Sequence, residues 1–169
     1  MRIIGIDPGT ARLGFGIIDA GDGYAAVDYG TIETSAKVAM AQRLLELYEA
    51  LTHLITTHSP ESMAIEQLFF SRNVTTAITV GQARGVALLA AAQAGLEIAE
   101  YAPNHIKKCV VGAGHAGKEQ VQMMVRVILP ASQADSPDAA DALAVAICHA
   151  HHMGTLDRWG AKDFREALR

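Results

Sequence analysis

The chain has 169 residues, a formal net charge of −4, 50% hydrophobic and 19% charged residues, which fits one compact globular domain rather than a disordered or fibrous chain. Its longest strictly apolar run, Val86 to Ala92, is far too short to cross a bilayer, and the N-terminus lacks the apolar core of a secretory signal, so a cytoplasmic protein with no membrane partner is expected. The acidic balance argues against bulk electrostatic binding of nucleic acid. The charge is uneven, however: between Gln67 and Pro130 stand six basic residues (Arg72, Arg84, Lys107, Lys108, Lys118 and Arg126) against three acidic ones, Glu97, Glu100 and Glu119. A local basic face on an acidic protein remains open. Cys109 and Cys148 show neither a disulfide framework nor metal-pair spacing, and reduced thiols are expected.

In chain order, Met1 to Asp7 reads as an apolar strand ending in a carboxylate. Pro8-Gly9-Thr10 turns into a second strand reaching Asp19, with Gly14 and Gly16 on one face. Gly21-Asp22-Gly23 is a further turn, and Tyr24 to Thr34 a third strand, completing an antiparallel meander. Lys37 to His58 reads as an amphipathic helix: Leu44, Leu47, Tyr48, Leu51, Leu54 and Ile55 share one side, and Arg43, Glu46 and Glu49 face elsewhere. Ser59-Pro60 ends it.

Ser62 to Gln67 is a short strand with Glu66 near its end, followed by a loop over Leu68 to Asn73. Val74 to Gly95 is a long helix, Leu96 to Tyr101 a fifth strand, Pro103 to Val111 a short helix, and Lys118 to Leu129 another after a glycine-rich loop. Ser136-Pro137 opens the last helix, which the pattern carries to about His152. The expected fold class is α/β: a five-stranded mixed sheet, three antiparallel strands then parallel additions, with helices on both faces. Residues 1–152 form one domain on this reading, and 153–169 a charged C-terminal tail.

An aspartate before Pro-Gly commonly starts a turn, and acidic residues in a helix's first turn suit its dipole. Asp7 and Glu66, however, end strands that emerge at one sheet edge when they are parallel neighbours. Asp138 and Asp141, three apart, share a face of the last helix, whose PDAADALAVAI run points inward. At roughly 5 Å, each like-charged pair costs about 3 kcal/mol at an effective dielectric near 20. Four converging carboxylates therefore share protons or bind a cation. Oxygen ligands without cysteine suit Mg²⁺, with Mn²⁺ able to substitute. Two such ions about 4 Å apart are the usual apparatus for in-line attack of water on a phosphodiester.

The segments GIDPGT (Asp7), AIEQLFF (Glu66), GQARGVAL (from Gly81) and DAADALAVA (Asp138, Asp141) stand in the order and spacing of the RuvC family of Holliday-junction resolvases, which the chain resembles over about 150 residues. The resemblance implies an RNase H-like nuclease fold over residues 1–152 and a homodimer bound to four-way junction DNA. It also implies Mg²⁺-dependent endodeoxyribonuclease activity in recombination and DNA repair: paired symmetric nicks, with 5′-phosphate products that ligase can seal. Asp7, Glu66, Asp138 and Asp141 would be the catalytic metal ligands, for two ions per site. Lys107 and Lys118 would contact junction DNA, Phe69 would stack on a base unless Phe70 takes that role, and Arg72, Asn73 and Arg84 would meet phosphates. The small-residue stripe Ala77, Gly81 and Gly85 would lie at the dimer interface, unless it packs on the sheet. Functional contact with the RuvAB branch-migration complex is implied as well.

Other readings are a non-catalytic junction-binding module, an RNase H-like nuclease acting on other branched nucleic acids, and an actin-like or sugar-kinase ATPase. The last needs a second glycine-rich strand-turn-strand, which the chain lacks. Cys148, His149, His151 and His152 resemble a metal cluster in composition, but imidazoles near a helix C-terminus are common for dipole reasons.

Overall fold

The computed structural model describes residues 1–68, 74–132 and 136–158. Five strands, β1 (Arg2–Asp7), β2 (Arg12–Ala20), β3 (Tyr24–Glu33), β4 (Ser62–Glu66) and β5 (Glu97–Tyr101), form one sheet in the order β3-β2-β1-β4-β5. The pairs β1–β2 and β2–β3 are antiparallel; β1–β4 and β4–β5 are parallel. Helices α1 (Met40–His58), α2 (Val74–Gln93), α3 (Pro103–Val111), α4 (Lys118–Ile128) and α5 (Pro137–Arg158) cover both faces. This is the mixed α/β sheet expected from the hydrophobic periodicities.

The central strands read as near-continuous apolar runs because both their faces are buried. Successive side chains go to opposite layers. Ile3, Ile18 and Ala64 pack with Ile106, Val110, Val121, Val125 and Leu143 under α3, α4 and α5. Ile4, Ile6, Leu13, Ile17, Met63 and Ile65 pack with Leu47, Leu51, Ile55, Ala83 and Ala87 under α1 and α2.

Helix α5 is the centre of the first layer. Every residue from Ala139 to Ala150 except Asp141 is buried, so it has no solvent face over three turns. It sits unusually close to the sheet, and glycine permits this. A Cβ at Gly5 would lie 2.2 Å from the Ala142 carbonyl oxygen, and one at Gly14 would lie 2.1 Å from the Asp138 carbonyl oxygen. A Cβ at Gly16 would meet both the side chain and the backbone nitrogen of Leu143 at 2.8 Å. Backbone therefore rests on backbone, and the glycines of β1 and β2 set the height of α5 above the strands.

Three details differ from the sequence pattern. Helix α1 begins at Met40 rather than Lys37, because Ser35 takes the preceding residues into a turn: its carbonyl accepts from Val38 N–H at 3.1 Å and its Oγ from Lys37 N–H at 3.2 Å. Arg43 faces inward and is buried. Its Nε donates to Thr34 Oγ1 at 2.8 Å, and Thr34 Oγ1 in turn donates to the Thr10 carbonyl at 2.5 Å. The periodicity of α1 places this cation on the wrong side because its polar partner lies on a different element. Helix α5 continues past His152 to Arg158, since adding residues to a formed helix requires no new nucleus.

A methyl group at Gly5 forces α5 off the sheet. Gly5→Ala is expected to destabilise the fold by about 3 kcal/mol, the upper end of the overpacking range, whereas Gly21→Ala, with nothing within 4 Å, changes stability by less than about 0.5 kcal/mol. Urea unfolding of the two variants checks this; equal midpoints would contradict the close approach.

Candidate nuclease site

The site lies where β1 and β4 end side by side. The parallel register pairs Ile6 with Ile65, so Asp7 and Glu66 follow at the same edge of the sheet. Asp7 also pairs across β2 with Gly14, the residue on which the Asp138 backbone rests. Asp138 and Asp141 therefore come down from the first turns of α5 onto the strand ends. All four carboxylates interact: Asp7 hydrogen-bonds Glu66 and feels the charges of Asp138 and Asp141.

This crowding shows in protonation. Burial first, then the neighbouring carboxylates, push the Asp7 carboxyl from 3.8 up to about 8. Burial raises Glu66 as well, partly offset by its hydrogen bond with Asp7 and by Lys107 and Lys118. Asp141 is raised by burial, against the opposing pull of Lys118. One proton shared between Asp7 and Glu66 is the natural state of such a pair without a cation.

Two basic side chains answer the negative charge. Lys118 Nζ donates to Asp141 Oδ2 at 2.6 Å, and Arg12 Nε lies 3.1 Å from Asp138 Oδ2. Lys118 is the first residue of α4, placed by the preceding loop; there Gln120 Oε1 accepts from Gly117 N–H at 2.9 Å. Pro103, Ile106 and Lys107 share one face of α3. With Glu66, Lys118, Val121, Asp141, Ala144 and Val145 they line a cleft of about 160 Å³. A neighbouring cleft of about 200 Å³ is lined by Asp7, Pro8, Glu66, Gln67, Leu68, Val80 and Pro103. Glu66 and Pro103 thus line both clefts, with Asp7 in one and Asp141 with both lysines in the other.

The comparisons with known proteins agree with one another. The family profile described as "Crossover junction endodeoxyribonuclease RuvC" matches residues 3–149. The chain belongs to the RuvC family. Among RuvC relatives, the protein of Brucella anthropi is 49% identical over 157 residues, 92% of this chain and 91% of that one. The protein of Pelotomaculum thermopropionicum is 54% identical over 154 residues, 90% and 94% of the two chains. Thermus thermophilus RuvC in complex with a Holliday junction substrate superposes with a TM-score of 0.85 at 36% identity, covering 92% of this chain and 97% of that one. The yeast mitochondrial resolvase Ydc2, at 11% identity and a TM-score of 0.67, shares the fold.

Within this RuvC fold, the structure gathers Asp7, Glu66, Asp138, Asp141, Lys107 and Lys118 at one place. Arg84 stands apart from them, ion-paired with Glu100 between α2 and β5, and its buried Nε has no hydrogen-bond partner among the described residues. Phe69, Phe70, Arg72 and Asn73 lie outside the described residues. Sequence reasoning missed Arg12. The available signal was a lone cation directly after the Pro-Gly-Thr turn that follows Asp7.

The raised carboxyls have a consequence for stability. Between about pH 4 and pH 8 the folded, metal-free chain holds more protons at Asp7 than the unfolded chain, whose aspartate titrates near 3.8. This contribution is full below pH 4 and is lost as pH rises through about 8. In chelator, Asp7→Asn is therefore expected to flatten the decline and to raise Tm at pH 8 by a few degrees. Thermal unfolding from pH 4 to 8 tests it, and parallel curves for the two proteins would count against the shared-proton pair.

Proposed function

We propose that this chain is an endodeoxyribonuclease that resolves four-way DNA junctions in recombination and repair, cutting by metal-dependent hydrolysis of phosphodiesters to leave 5′-phosphates. The observation that carries this is the convergence of four carboxylates from β1, β4 and α5, faced by two lysines across a shared cleft. Thermus thermophilus RuvC is bound to a Holliday junction substrate in its complex, and family membership extends that substrate class to this chain.

The donor set fits Mg²⁺. All four groups offer hard carboxylate oxygens, and among the described residues their mutual repulsion is relieved by a proton, two ion pairs and the nearby charge of Lys107. Asp7, Glu66, Asp138 and Asp141 would hold two ions, with Mn²⁺ an effective substitute. Bound there, the metal supplies Lewis acidity for attack of water on the scissile phosphate and for departure of the 3′-oxygen. The residues of the chain do the rest. Lys118 leaves Asp141 and turns its ammonium to a phosphate, Lys107 meets the same strand from α3, and Arg12 leaves Asp138 for the backbone. Phe69, Arg72 and Asn73 remain assigned to the junction, Phe69 by stacking on a base, and Arg84 serves once released from Glu100.

The active form we propose is a homodimer built through α2. That helix buries Ala83, Ala87, Ala90 and Ala91 toward the sheet and leaves Ile78, Gln82, Gly85 and Leu89 on the opposite line. Ile78 and Leu89 are 58% and 59% exposed, and Gly85 has nothing within 4 Å of its missing Cβ. Two sites related by a twofold axis match the near-twofold symmetry of a junction and would give paired nicks. The free thiols of Cys109 and Cys148 fit a cytoplasmic setting, and no described helix is long and apolar enough to cross a membrane. Coupling to a RuvAB motor is part of the same proposal.

The decisive assay incubates the protein with a labelled synthetic four-way junction and matched duplex, with Mg²⁺ or chelator. Symmetric, ligatable nicks confined to the junction are expected. Equal cutting of duplex would keep the chemistry and discard the substrate. Asp7→Asn is expected to reduce cleavage to background while junction binding holds or tightens, since one negative charge near phosphate is removed. Joint loss of cleavage and binding would make Asp7 structural. Leu89→Lys is expected to shift the sedimentation coefficient to that of a monomer; an unchanged dimer would place the interface elsewhere.

A further inference from the structure

A second group of metal-ligating side chains lies away from the carboxylates, between α3 and α5. His105 and Cys109 are four residues apart on α3 and so share a face, and Cys148 meets them from α5. The imidazole nitrogen and the two Sγ atoms all lie within 4.8 Å of one another. Cys148 is fully buried, Cys109 partly buried and His105 exposed, so the group is closed toward the core and open to solvent at the imidazole. The distance between the two cysteines along the chain hides this arrangement from any reading of spacing alone.

We propose that His105, Cys109 and Cys148 form a three-ligand binding site for Zn²⁺, distinct from the oxygen-donor site and chemically selective against Mg²⁺. Thiolate and imidazole are the donors that borderline-soft Zn²⁺ prefers and Mg²⁺ avoids. With Zn–S near 2.3 Å and Zn–N near 2.0–2.1 Å, tetrahedral ligand atoms sit about 3.5–4 Å apart, so ligand atoms within 4.8 Å of one another close by about 1.3 Å at most. The exposed His105 side chain has the freedom to supply that movement. The charges balance: uptake of Zn²⁺ by two thiols releases two protons and leaves a neutral bis-thiolate centre, which a buried position tolerates. Solvent takes the fourth position.

The surroundings support the ligands. The Tyr101 ring stacks on His105 with centroids 5.6 Å apart and planes 16° from parallel, and its hydroxyl hydrogen-bonds His149 Nδ1 at 2.8 Å. His151 Nδ1 lies 3.3 Å from the Cys109 carbonyl oxygen, tying α5 to the turn of α3 that carries the thiol. A bound cation would clamp α3 to α5 and fix the stretch between His105 and Cys109 that bears Lys107, one of the cleft lysines.

Cobalt(II) is a suitable probe, because thiolate ligation gives a near-ultraviolet charge-transfer band that carboxylates do not. Reduced, metal-stripped protein would be titrated with Co²⁺ in excess Mg²⁺, which occupies the oxygen donors. One equivalent per chain is expected to develop the band, one equivalent of Zn²⁺ to bleach it, and Cys109→Ser to abolish it. His105→Ala is expected to weaken Co²⁺ binding by more than about tenfold, since even outer-sphere partners of metal ligands are worth 10–100-fold. Both substitutions are at positions with solvent access, and far-UV circular dichroism confirms their fold. Absence of the band, its persistence in folded Cys109→Ser, or thiol counts showing a Cys109–Cys148 disulfide formed in place of metal uptake would overturn the proposal.

Discussion

The contact on which the molecule depends is that of α5 lying directly on β1 and β2. Ordinary helix-on-sheet packing keeps the two backbones apart by the thickness of a side-chain layer. Here Gly5 and Gly14 remove that layer, and the carbonyls of Ala142 and Asp138 occupy the space where a Cβ would be. The acidic first turns of α5 can then reach the carboxylates at the strand ends. The same contact explains the alanine-rich sequence of α5, because small side chains are what a helix needs when it is enclosed on every side.

Held this way, the acidic residues are in electrostatic conflict, and the conflict is useful. A buried Asp7 beside Glu66 is strained as an anion pair and relaxed as an acid–anion pair or a metal ligand. The opposing cations are half-exposed, with Lys118 and Arg12 side chains 56% and 63% accessible. Each is held by one of the acids, Lys118 by Asp141 and Arg12 by Asp138. Acids and their countering bases thus stand side by side at one edge of the sheet.

Much of this is legible in the residues. The strand and helix periods set out the element order, and Asp7, Glu66, Asp138 and Asp141 stand out because each is a carboxylate at the end of an otherwise apolar segment. Relations between distant segments are not legible. Arg43 looks like a surface residue of α1 because its partners, Thr34 and through it the Thr10 carbonyl, belong to β3's end and the β1–β2 turn. Arg12 carries no periodic signal, and the nearness of Cys109 to Cys148 depends on how α3 packs against α5. Spacing reports what a single element places together, and contacts between elements appear only on folding.

The length of α5 has one more implication. Asp141 and Cys148 are two turns apart on the same unbroken helix, about 10 Å along its axis at 1.5 Å per residue. A helix packed on all sides transmits axial displacement instead of absorbing it. Asp141 at the carboxylate cleft and Cys148 beside Cys109 are therefore carried by one enclosed helix, and any rigid shift of that helix along the sheet would move both by nearly the same amount.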